Sequence, residues 1–422
     1  MGWWFEIKLW KRVFLGLALG IAFGLAVTQI MGPVEGEALL LKVKVVGDIF
    51  IRLIRMIIVP LIFFTLTAGI YAMGDARKLG TIGVKAFTLY VVTTFFANLI
   101  GLGIGTILQP GKGVQLGNPS TVELPVAAPL GERLMGIIPE NPIAALAQGD
   151  VLAVIFFSIL FGVGILMARS EGEPVGRFFE SASEAILKVT YIIMELAPFG
   201  VFALIAYTAG TKGIETFTAI LTLTVAVYLG AFIHMIVVYG GLIRIIANLP
   251  LLNFFRGILE AQMVAYSTSS SSATLPVTIR AVSENLGVDK PVAGSVLPLG
   301  STINMDGTSL YLGIVALFAA QAYGIELELI HYPLIALTAA LVSVGAAGIP
   351  SASLFLLAIV LDVFGFPASE VPIIVGFILP FDRLLDMMRT VVNVTGDAAV
   401  ATVVAKWEGE LDEEVFRSKV PN

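Results

Sequence analysis

The feature that most constrains this chain is a series of apolar stretches of about 20 residues, the length that a helix needs to cross a membrane. Residues 13–31 and 221–243 are two examples. Of the 422 residues, 57% are hydrophobic and only 13% are charged. An ordinary soluble domain carries about twice that share of charge. A soluble core of this size could not hide so much apolar surface, so the sequence predicts an all-α membrane protein.

Hydropathy predicts eight transmembrane helices, helix 1 to helix 8. Their approximate bounds are 11–31, 45–73, 82–108, 144–168, 176–210, 216–247, 292–324 and 371–406. Several exceed 25 residues, which favours tilted or kinked helices, with Pro60 and Pro198 as candidate kinks. Basic residues gather on alternate connections and place both termini in the cytoplasm, although Lys42 and Lys44 go against this rule.

Two further segments, 250–288 and 329–364, are apolar at both ends and broken in the middle. The breaks, Tyr266–Pro276 and Ser343–Ser353, combine small residues with a proline. Non-helical backbone cannot face lipid, so such breaks belong inside protein or beside a wet cavity. Two of them in corresponding positions predict two re-entrant helical hairpins in inverted repeats, which points to a binding site near the midplane. A kinked ordinary span or a surface loop is the alternative for each.

Helix 8 carries charges in a segment that otherwise looks buried in the membrane. They are Asp382, Arg383, Asp386, Arg389 and Asp397. Each charge at the bilayer centre costs about 3 kcal/mol, so these side chains are expected to face a cavity or each other. Asp386, Arg389, Asn393 and Asp397 are spaced three, four and four residues apart and form one stripe along the helix.

The residue types in this stripe match the polar groups of an acidic amino acid. The guanidinium of Arg389 can grip a carboxylate with two hydrogen bonds. The carboxylate of Asp386 can hold an ammonium, and the amide of Asn393 can bond a second carboxylate. A structural ion pair between Asp386 and Arg389 is the alternative.

Helix 7 holds a second polar group, within residues 300–308. Gly300 and Gly307 permit local unwinding that frees backbone carbonyls. A single carboxylate, Asp306, with amide, hydroxyl and carbonyl oxygens is a hard site of low charge that suits Na⁺, and Asp397 could serve a second ion in the same way. Glycine-assisted helix packing around a hydrogen-bonded aspartate is the alternative.

Other residue types limit the chemistry. The chain has no cysteine and two histidines, which excludes disulfides and thiolate sites and argues against zinc or iron. His234 and His331 are isolated, and packed histidines are the favoured interpretation over a proton relay. The serine and threonine run at 267–272 is either a flexible linker or a hairpin tip whose N–H groups and hydroxyls receive a carboxylate. No basic patch indicates nucleic acid.

The chain resembles the dicarboxylate/amino acid:cation symporter family, which includes archaeal aspartate transporters and the excitatory amino acid transporters. The resemblance covers nearly the whole chain. The matching motifs are Ser269–Ser272 before Thr274–Pro276, Asn304–Thr308, Gly345–Pro350, Asp386–Asn393 with Gly396–Asp397, and Pro198–Ala206. The first four of these motifs, in the same order as in the family, make the match specific. It implies a sodium-coupled symporter that takes up aspartate or glutamate at the plasma membrane, and no enzyme.

The resemblance also implies a homotrimer that works as an elevator among membrane lipids. Residues 1–81 and 111–215 would form the scaffold. Residues 82–110 and 216–408 would form the transport domain, which slides across the membrane. Residues 409–422 would be a cytoplasmic tail.

By the same resemblance, Arg389 would bind the side-chain carboxylate of the substrate and Asp386 its amino group. The α-carboxylate would meet Asn393, Ser270 and Ser271. Three residues would complete the pocket: Thr308, Ile349 and Ser353. Three sodium sites are implied. The first uses Gly300, Asn304, Asn393 and Asp397. The second uses backbone oxygens of Thr302, Met305, Ser343, Val344 and Ala346. The third uses Tyr90, Thr93, Thr94, Asn304 and Asp306.

Three positions depart from the family. Archaeal members carry an arginine where Ser269 stands here, and animal members carry one where Met387 stands. We hypothesise that Arg383, one turn before Met387, fills that space. Animal members use a glutamate for proton and potassium coupling where this chain has Leu312, so we expect no such coupling through that residue.

Competing functions remain. A proton-coupled carrier of dicarboxylates, glutamate or neutral amino acids is the nearest alternative, although Arg389 argues against neutral substrates and the intact 304–306 motif argues for sodium. A channel would not need polar groups matched to one amino acid. An intramembrane serine hydrolase would need a nearby histidine or lysine to activate the serine, and the first hairpin has none.

Overall fold

The computed structural model describes residues 7, 9–72, 81–114, 135, 138–213, 218–344, 352–367 and 370–418. Across these residues the chain is built of helices, with a single isolated β-bridge between Val288 and Leu411. This agrees with the predicted all-α class.

The helices are α1 (Leu9–Ala72), α2 (Thr81–Leu108), α3 (Pro142–Gln148), α4 (Val151–Met167), α5 (Glu173–Met194), α6 (Ala197–Lys212), α7 (Thr218–Ile233), α8 (Leu251–Gly257), α9 (Leu259–Thr268), α10 (Ser271–Glu284), α11 (Lys290–Ile303), α12 (Asp306–Ala322), α13 (His331–Val344), α14 (Ala352–Asp362), α15 (Val371–Glu408) and α16 (Glu413–Arg417). A 3₁₀ turn, Arg169–Glu171, precedes α5. Helix α7 continues as two π-helical stretches, His234–Tyr239 and Leu242–Ile246.

Within the described residues, four helices are long and apolar enough to cross a membrane. They are Lys11–Phe50, Thr81–Leu108, Ala219–Ile246 and Lys290–Ala322. The pair Glu173–Met194 and Ala197–Thr211 makes a fifth span if the two bent halves are counted together. These helices support a membrane protein. The count of eight spans stays a prediction.

Predicted helices 1 and 2 lie within α1, whose backbone leaves helical geometry at Gly32 (φ 80°, ψ 168°). The positive φ is one that glycine adopts without strain. A methyl group on Gly36 would press on the backbone of Thr28, so the chain on the two sides of the break approaches closely. Pro198 lies in the first turn of α6, where the chain bends by 47° from α5, as predicted for a kink.

The helices pack in two groups. Helix α1 packs against α4, α5 and α6, while α12 packs against α2, α7 and α15. The second hairpin touches both groups, since α13 contacts α4 and α2, and α14 contacts α1 and α15. The division into a sliding domain and a fixed scaffold stays a prediction.

The first hairpin is α9 and α10, which pack against each other. Its tip turns at Ser269 (φ 53°), and the hydroxyl of Ser270 then caps α10 by accepting a hydrogen bond from the amide of Ala273 at 3.1 Å. The arms of the second hairpin are α13 and α14. The tip predicted for it, including Ala346 and Ile349, lies outside the described residues.

Predicted helix 7 is broken between α11 and α12, at Asn304 (φ −83°, ψ 84°) and Met305 (φ −112°, ψ 46°). The unwinding expected there is confirmed, although Gly300 and Gly307 flank the break and are themselves helical. A methyl group on Gly307 would collide with the backbone of Arg389, so the start of α12 lies directly on α15. This contact brings the polar residues of the break onto the stripe of α15.

The residues after α15 fold back onto α8 and onto the connection between α10 and α11. Phe416 is 1% exposed, and its carbonyl accepts a hydrogen bond from the Asn253 side chain at 3.1 Å. The amide of Asp412 donates to the carbonyl of Gly287 at 2.8 Å, and the amide of Asp289 donates to the carbonyl of Glu410 at 3.0 Å. The described part of the predicted tail is therefore packed against the protein.

Candidate substrate and ion site

The first buried charge cluster is centred on Arg389 of α15, which is 1% exposed. Its Nη1 donates to Asp382 Oδ1 at 3.0 Å and its Nη2 donates to Asp386 Oδ1 at 2.7 Å. Its Cζ lies 4.1 Å from the ring centroid of Tyr311, a cation–π contact. Arg389 Nε and Asp382 Oδ2 are buried without a hydrogen-bond partner in the structure, so the cluster keeps one donor and one acceptor for a ligand.

The ion pair between Asp386 and Arg389, named above as an alternative, is therefore present. Asp382 is a third member that the predicted pair did not include. Asp382 was noted as a charge in helix 8 but was not predicted as a site residue. The signal was available, because Asp382, Asp386 and Arg389 follow at intervals of four and three and so share one face of the helix.

Asn393 lies one turn beyond Arg389 and connects α15 to the break between α11 and α12. Its side-chain oxygen accepts a hydrogen bond from the amide of Gly307 at 2.8 Å, and its Nδ2 lies 3.1 Å from the sulfur of Met305. Its backbone carbonyl accepts from Asn304 Nδ2 at 3.3 Å. One residue thus joins the Arg389 cluster to the polar residues of the break.

The second cluster begins with Asp397, which is 2% exposed. Its Oδ1 accepts a hydrogen bond from Asn304 Nδ2 at 2.9 Å, while Asn304 Oδ1 is buried with no partner. A side chain at Gly300 would collide with Asp397 and with the hydroxyl of Tyr90. Gly300 therefore leaves the space in which these oxygen atoms meet.

Asp306 is the second carboxylate of this cluster and is fully buried. Its Oδ1 accepts from the hydroxyl of Thr94 at 2.6 Å. Its Oδ2 accepts from the hydroxyl of Tyr239 at 2.8 Å and lies 3.2 Å from His234 Nε2. Thr94 and Asp306, which the resemblance assigns to one sodium site, are therefore in direct contact.

His234 and Tyr239 were missed as site residues. They are five positions apart in the sequence, which in an α-helix puts two side chains about 140° apart. The stretch is π-helical here, and its i→i+5 hydrogen bonds bring residues five apart close to one face. Their rings lie 4.6 Å apart at 82°. No pattern in the sequence predicts that this stretch is π-helical. The favoured interpretation of His234 as a packed residue covers its burial but not its contact with Asp306.

The other predicted ion ligands are placed as follows. The hydroxyl of Tyr90 donates to the carbonyl of Val296 at 3.0 Å, and Thr93 donates to the carbonyl of Tyr90 at 3.1 Å, so neither hydroxyl points its proton at a carboxylate. Thr302 lies in the last turn of α11. Ser343 and Val344 end α13, which packs against α11.

The predicted substrate residues also lie close to α15 or the break. Thr308 is in the first turn of α12 and is 6% exposed. Ser353 is 2% exposed, and its hydroxyl has no partner in the structure. Ser270 and Ser271 are buried at the tip of the first hairpin. The tip reaches α15 through Arg383, whose Nη2 donates to the carbonyl of Thr268 at 3.2 Å.

The donor set of the second cluster suits a monovalent cation. It combines two carboxylates with amide, hydroxyl and carbonyl oxygens, and Asn304 Oδ1 is an oxygen that still lacks a partner. Among the described residues, no group of three or more His, Cys, Asp or Glu side chains could hold a metal ion. The described hydrogen-bond partners of the two carboxylates of this cluster include no lysine or arginine.

Comparison with known proteins gives a consistent family. The chain is 34% identical to the proton/sodium-glutamate symport protein of Geobacillus stearothermophilus over 97% of this chain and 96% of that protein. It is 36% identical to the C4-dicarboxylate transport protein of Azorhizobium caulinodans over 96% and 91%. It is also 36% identical to the proton/glutamate-aspartate symporter of Escherichia coli over 87% and 86%.

The profile of the sodium:dicarboxylate symporter family matches residues 9–407, a stretch that contains both clusters, both hairpins and the broken helix. With a match of this extent, the chain belongs to the sodium:dicarboxylate symporter family.

Proposed function

We propose that this protein is a sodium-coupled symporter for aspartate or glutamate. The proposal rests on one observation: Asn393 joins two buried charge clusters. In the Arg389 cluster the aspartates face arginine, whereas in the Asp306–Asp397 cluster they do not. The Arg389 cluster has a free donor for an anionic substrate, and the described partners of Asp306 and Asp397 include no lysine or arginine. Binding at one cluster can therefore change the energy of binding at the other through a single shared residue.

The proposed roles combine this geometry with the roles that the family resemblance implies. A substrate carboxylate would bond Arg389, whose Nε is free, and an ammonium would bond Asp386. The second carboxylate would meet Asn393 and the tip of the first hairpin, where Ser270 and Ser271 lie. The pocket would be completed by Thr308, Ile349 and Ser353.

Sodium would be held in three places. The cluster around Asp397 would use Asn304 Oδ1, backbone oxygens of Gly300 and Asn393, and the Asp397 carboxylate. The cluster around Asp306 would use Thr94 with Tyr90, Thr93 and Asn304. A third ion would lie between the broken helix and the second hairpin, held by backbone oxygens of Thr302, Met305, Ser343, Val344 and Ala346.

We propose further that the protein works in the plasma membrane as a homotrimer with cytoplasmic termini. Residues 82–110 and 216–408 would move as an elevator against a scaffold of residues 1–81 and 111–215. The packing of α1 against α4, α5 and α6, and of α12 against α2, α7 and α15, supports two such groups.

The test is uptake of radiolabelled L-aspartate into proteoliposomes that impose either an inward sodium gradient or an inward proton gradient. Uptake driven by sodium alone is the expected result. Uptake driven by protons alone would overturn the sodium assignment and leave the family membership intact. No aspartate uptake under either gradient would overturn the proposed substrate.

A proton-coupled carrier is the second candidate, and one contact favours it. His234 Nε2 lies 3.2 Å from Asp306 Oδ2, and His234 Nδ1 is buried without a partner. The names of the Escherichia coli and Geobacillus relatives also include protons. The same gradient experiment separates the two candidates.

A further inference from the structure

The tip of the first hairpin is attached to α15 through Arg383. Nη2 of this arginine donates to the carbonyl of Thr268 at 3.2 Å and to the carbonyl of Ser267 at 3.3 Å. Both carbonyls belong to the last turn of α9. The last four carbonyls of a helix have no partner inside the helix, and they carry the negative end of its dipole. Arg383 therefore caps α9 from a different helix.

The cap acts at the point where the hairpin reverses. Directly after Thr268 the chain passes through Ser269 at φ 53°, a conformation that costs energy for a residue other than glycine. Ser270 then caps α10 and contacts Thr268, whose hydroxyl lies 3.3 Å from the Ser270 amide. The positions of Ser270 and Ser271 thus depend on three consecutive residues, of which the first is held by Arg383.

Arg383 also lies beside the Arg389 cluster. It is adjacent to Asp382 in sequence and three residues from Asp386, and both carboxylates act on it electrostatically. Its Nε is buried and has no partner in the structure. The guanidinium thus contacts the hairpin tip and lies close enough to the two carboxylates to feel their charge.

We infer that Arg383 is a positioning residue, which holds the tip of the first hairpin against α15 and so shapes the end of the pocket formed by Ser270 and Ser271. Its effect on transport rests on the proposed function. Its effect on the tip does not, so the two can be tested separately.

The tip can be tested without any substrate, because the chain has no cysteine and one introduced thiol is unique. Ser269→Cys puts a thiol of nearly the same size at a side chain that is 1% exposed. In purified protein with this thiol, we expect Arg383→Ala to raise the rate of maleimide labelling about tenfold, the effect of losing a hydrogen bond to a charged donor. Arg280→Ala is the matched control, since Arg280 is an exposed arginine on the same hairpin, paired with Glu260. An unchanged labelling rate in Arg383→Ala would overturn the inference.

Two further variants separate the proposed positioning of the hairpin tip from a direct effect of the Arg383 charge on the substrate. Arg383→Gln keeps N–H donors without the positive charge, and Arg383→Lys keeps the charge on a donor of different shape. If Arg383 acts by holding the tip, Arg383→Ala raises the KM for aspartate about tenfold and Arg383→Gln restores much of the loss. If Arg383→Gln is as impaired as Arg383→Ala while Arg383→Lys matches the parent, the charge acts on the substrate directly and the positioning role is wrong. A parent protein that transports no acidic amino acid would refute the proposed function, and the labelling result would still decide the tether.

Discussion

The two buried charge clusters differ in how they are neutralised. Around Arg389, two aspartates face one arginine directly, and a second arginine, Arg383, lies beside them. Around Asp306 and Asp397, the described partners of the two carboxylates are hydroxyls, an amide and the imidazole of His234. A buried carboxylate without a countercharge is costly. The first cluster is neutralised by its own arginines, whereas the second, under the proposed function, would be completed by a cation.

Under the proposed function, this difference explains how one protein can be stable without substrate and still bind it. Asp382 and Asp386 hold Arg389 in the absence of a ligand, and a substrate carboxylate would take over part of their role. In the second cluster, the described residues include no oppositely charged Lys or Arg side chain that pairs with the two carboxylates. Under the proposed function this cluster would gain the most from an ion, and the binding energy of that ion would then be available for coupled transport.

The largest effect is expected from removing the positive charge of the balanced cluster. Arg389→Ala leaves Asp382 and Asp386 buried without their cation, and it removes the donor proposed for the substrate. Truncating one partner of a buried charge pair costs about 2–5 kcal/mol, so the concentration of aspartate for half-maximal uptake should rise at least about 30-fold. Radiolabelled uptake measures this. Arg177→Ala, which removes an exposed arginine paired with Glu173, is the control and should behave as the parent. Equal aspartate affinity in the parent and in Arg389→Ala would refute the assigned role.

The unbalanced cluster is tested by removing one of its negative charges. Asp397→Asn should raise the sodium concentration for half-maximal uptake at saturating aspartate about tenfold or more, because a carboxylate ligand becomes a neutral amide. The control is Thr402→Val in the same helix, where the lost hydroxyl donates only to the carbonyl of Ala398. A sodium dependence that does not change in Asp397→Asn would show that this carboxylate is balanced by something other than the transported ion.

A smaller and more selective effect should separate amino acids from C4-dicarboxylates. Asp386→Asn removes the charge proposed to hold the substrate ammonium but keeps a group that can accept a hydrogen bond from Arg389. We expect the KM for aspartate to rise about tenfold, while competition by succinate, which has no ammonium, is retained or improved. Equal losses for both ligands would mean that Asp386 serves only to hold Arg389.

The sequence was sufficient to predict those parts of the site that lie on one regular helix. The stripe Asp386, Arg389, Asn393 and Asp397 follows from helical spacing alone, and all four residues are buried in the structure. The break at Asn304 and Met305 was predicted from the polar residues and glycines around it. The tip of the first hairpin, at Ser269, was predicted from a serine run that could not face lipid.

The parts that could not be predicted depend on contacts between helices or on irregular winding. The two hydrogen bonds of Arg383 with the tip of the first hairpin join residues more than a hundred positions apart. Tyr239 and His234 reach one oxygen of Asp306 only because α7 continues as a π-helix. A prediction from helical periodicity assumes α-helical geometry throughout, so it assigns His234 and Tyr239 to different faces of the helix.

The smallest effect follows from this π-helical pair. Tyr239→Phe removes one of the donors to Asp306 Oδ2 and leaves the ring in place, so packing should be preserved. A hydrogen bond to a charged group contributes about 1.5–3 kcal/mol, of which a bound cation can replace a part. We therefore expect the half-maximal sodium concentration to shift by a factor of about three to ten, with little change in the maximal rate.

The matched control is Tyr323→Phe at the other end of α12, where the lost hydroxyl donates to Glu370 at 2.9 Å. The chemical change is the same, but the carboxylate lies outside both clusters. If the two variants shift the sodium dependence equally, the effect belongs to the helix bundle as a whole. If only Tyr239→Phe shifts it, the sodium dependence is set at Asp306, and the contrast between a balanced and an unbalanced cluster holds down to a single hydroxyl.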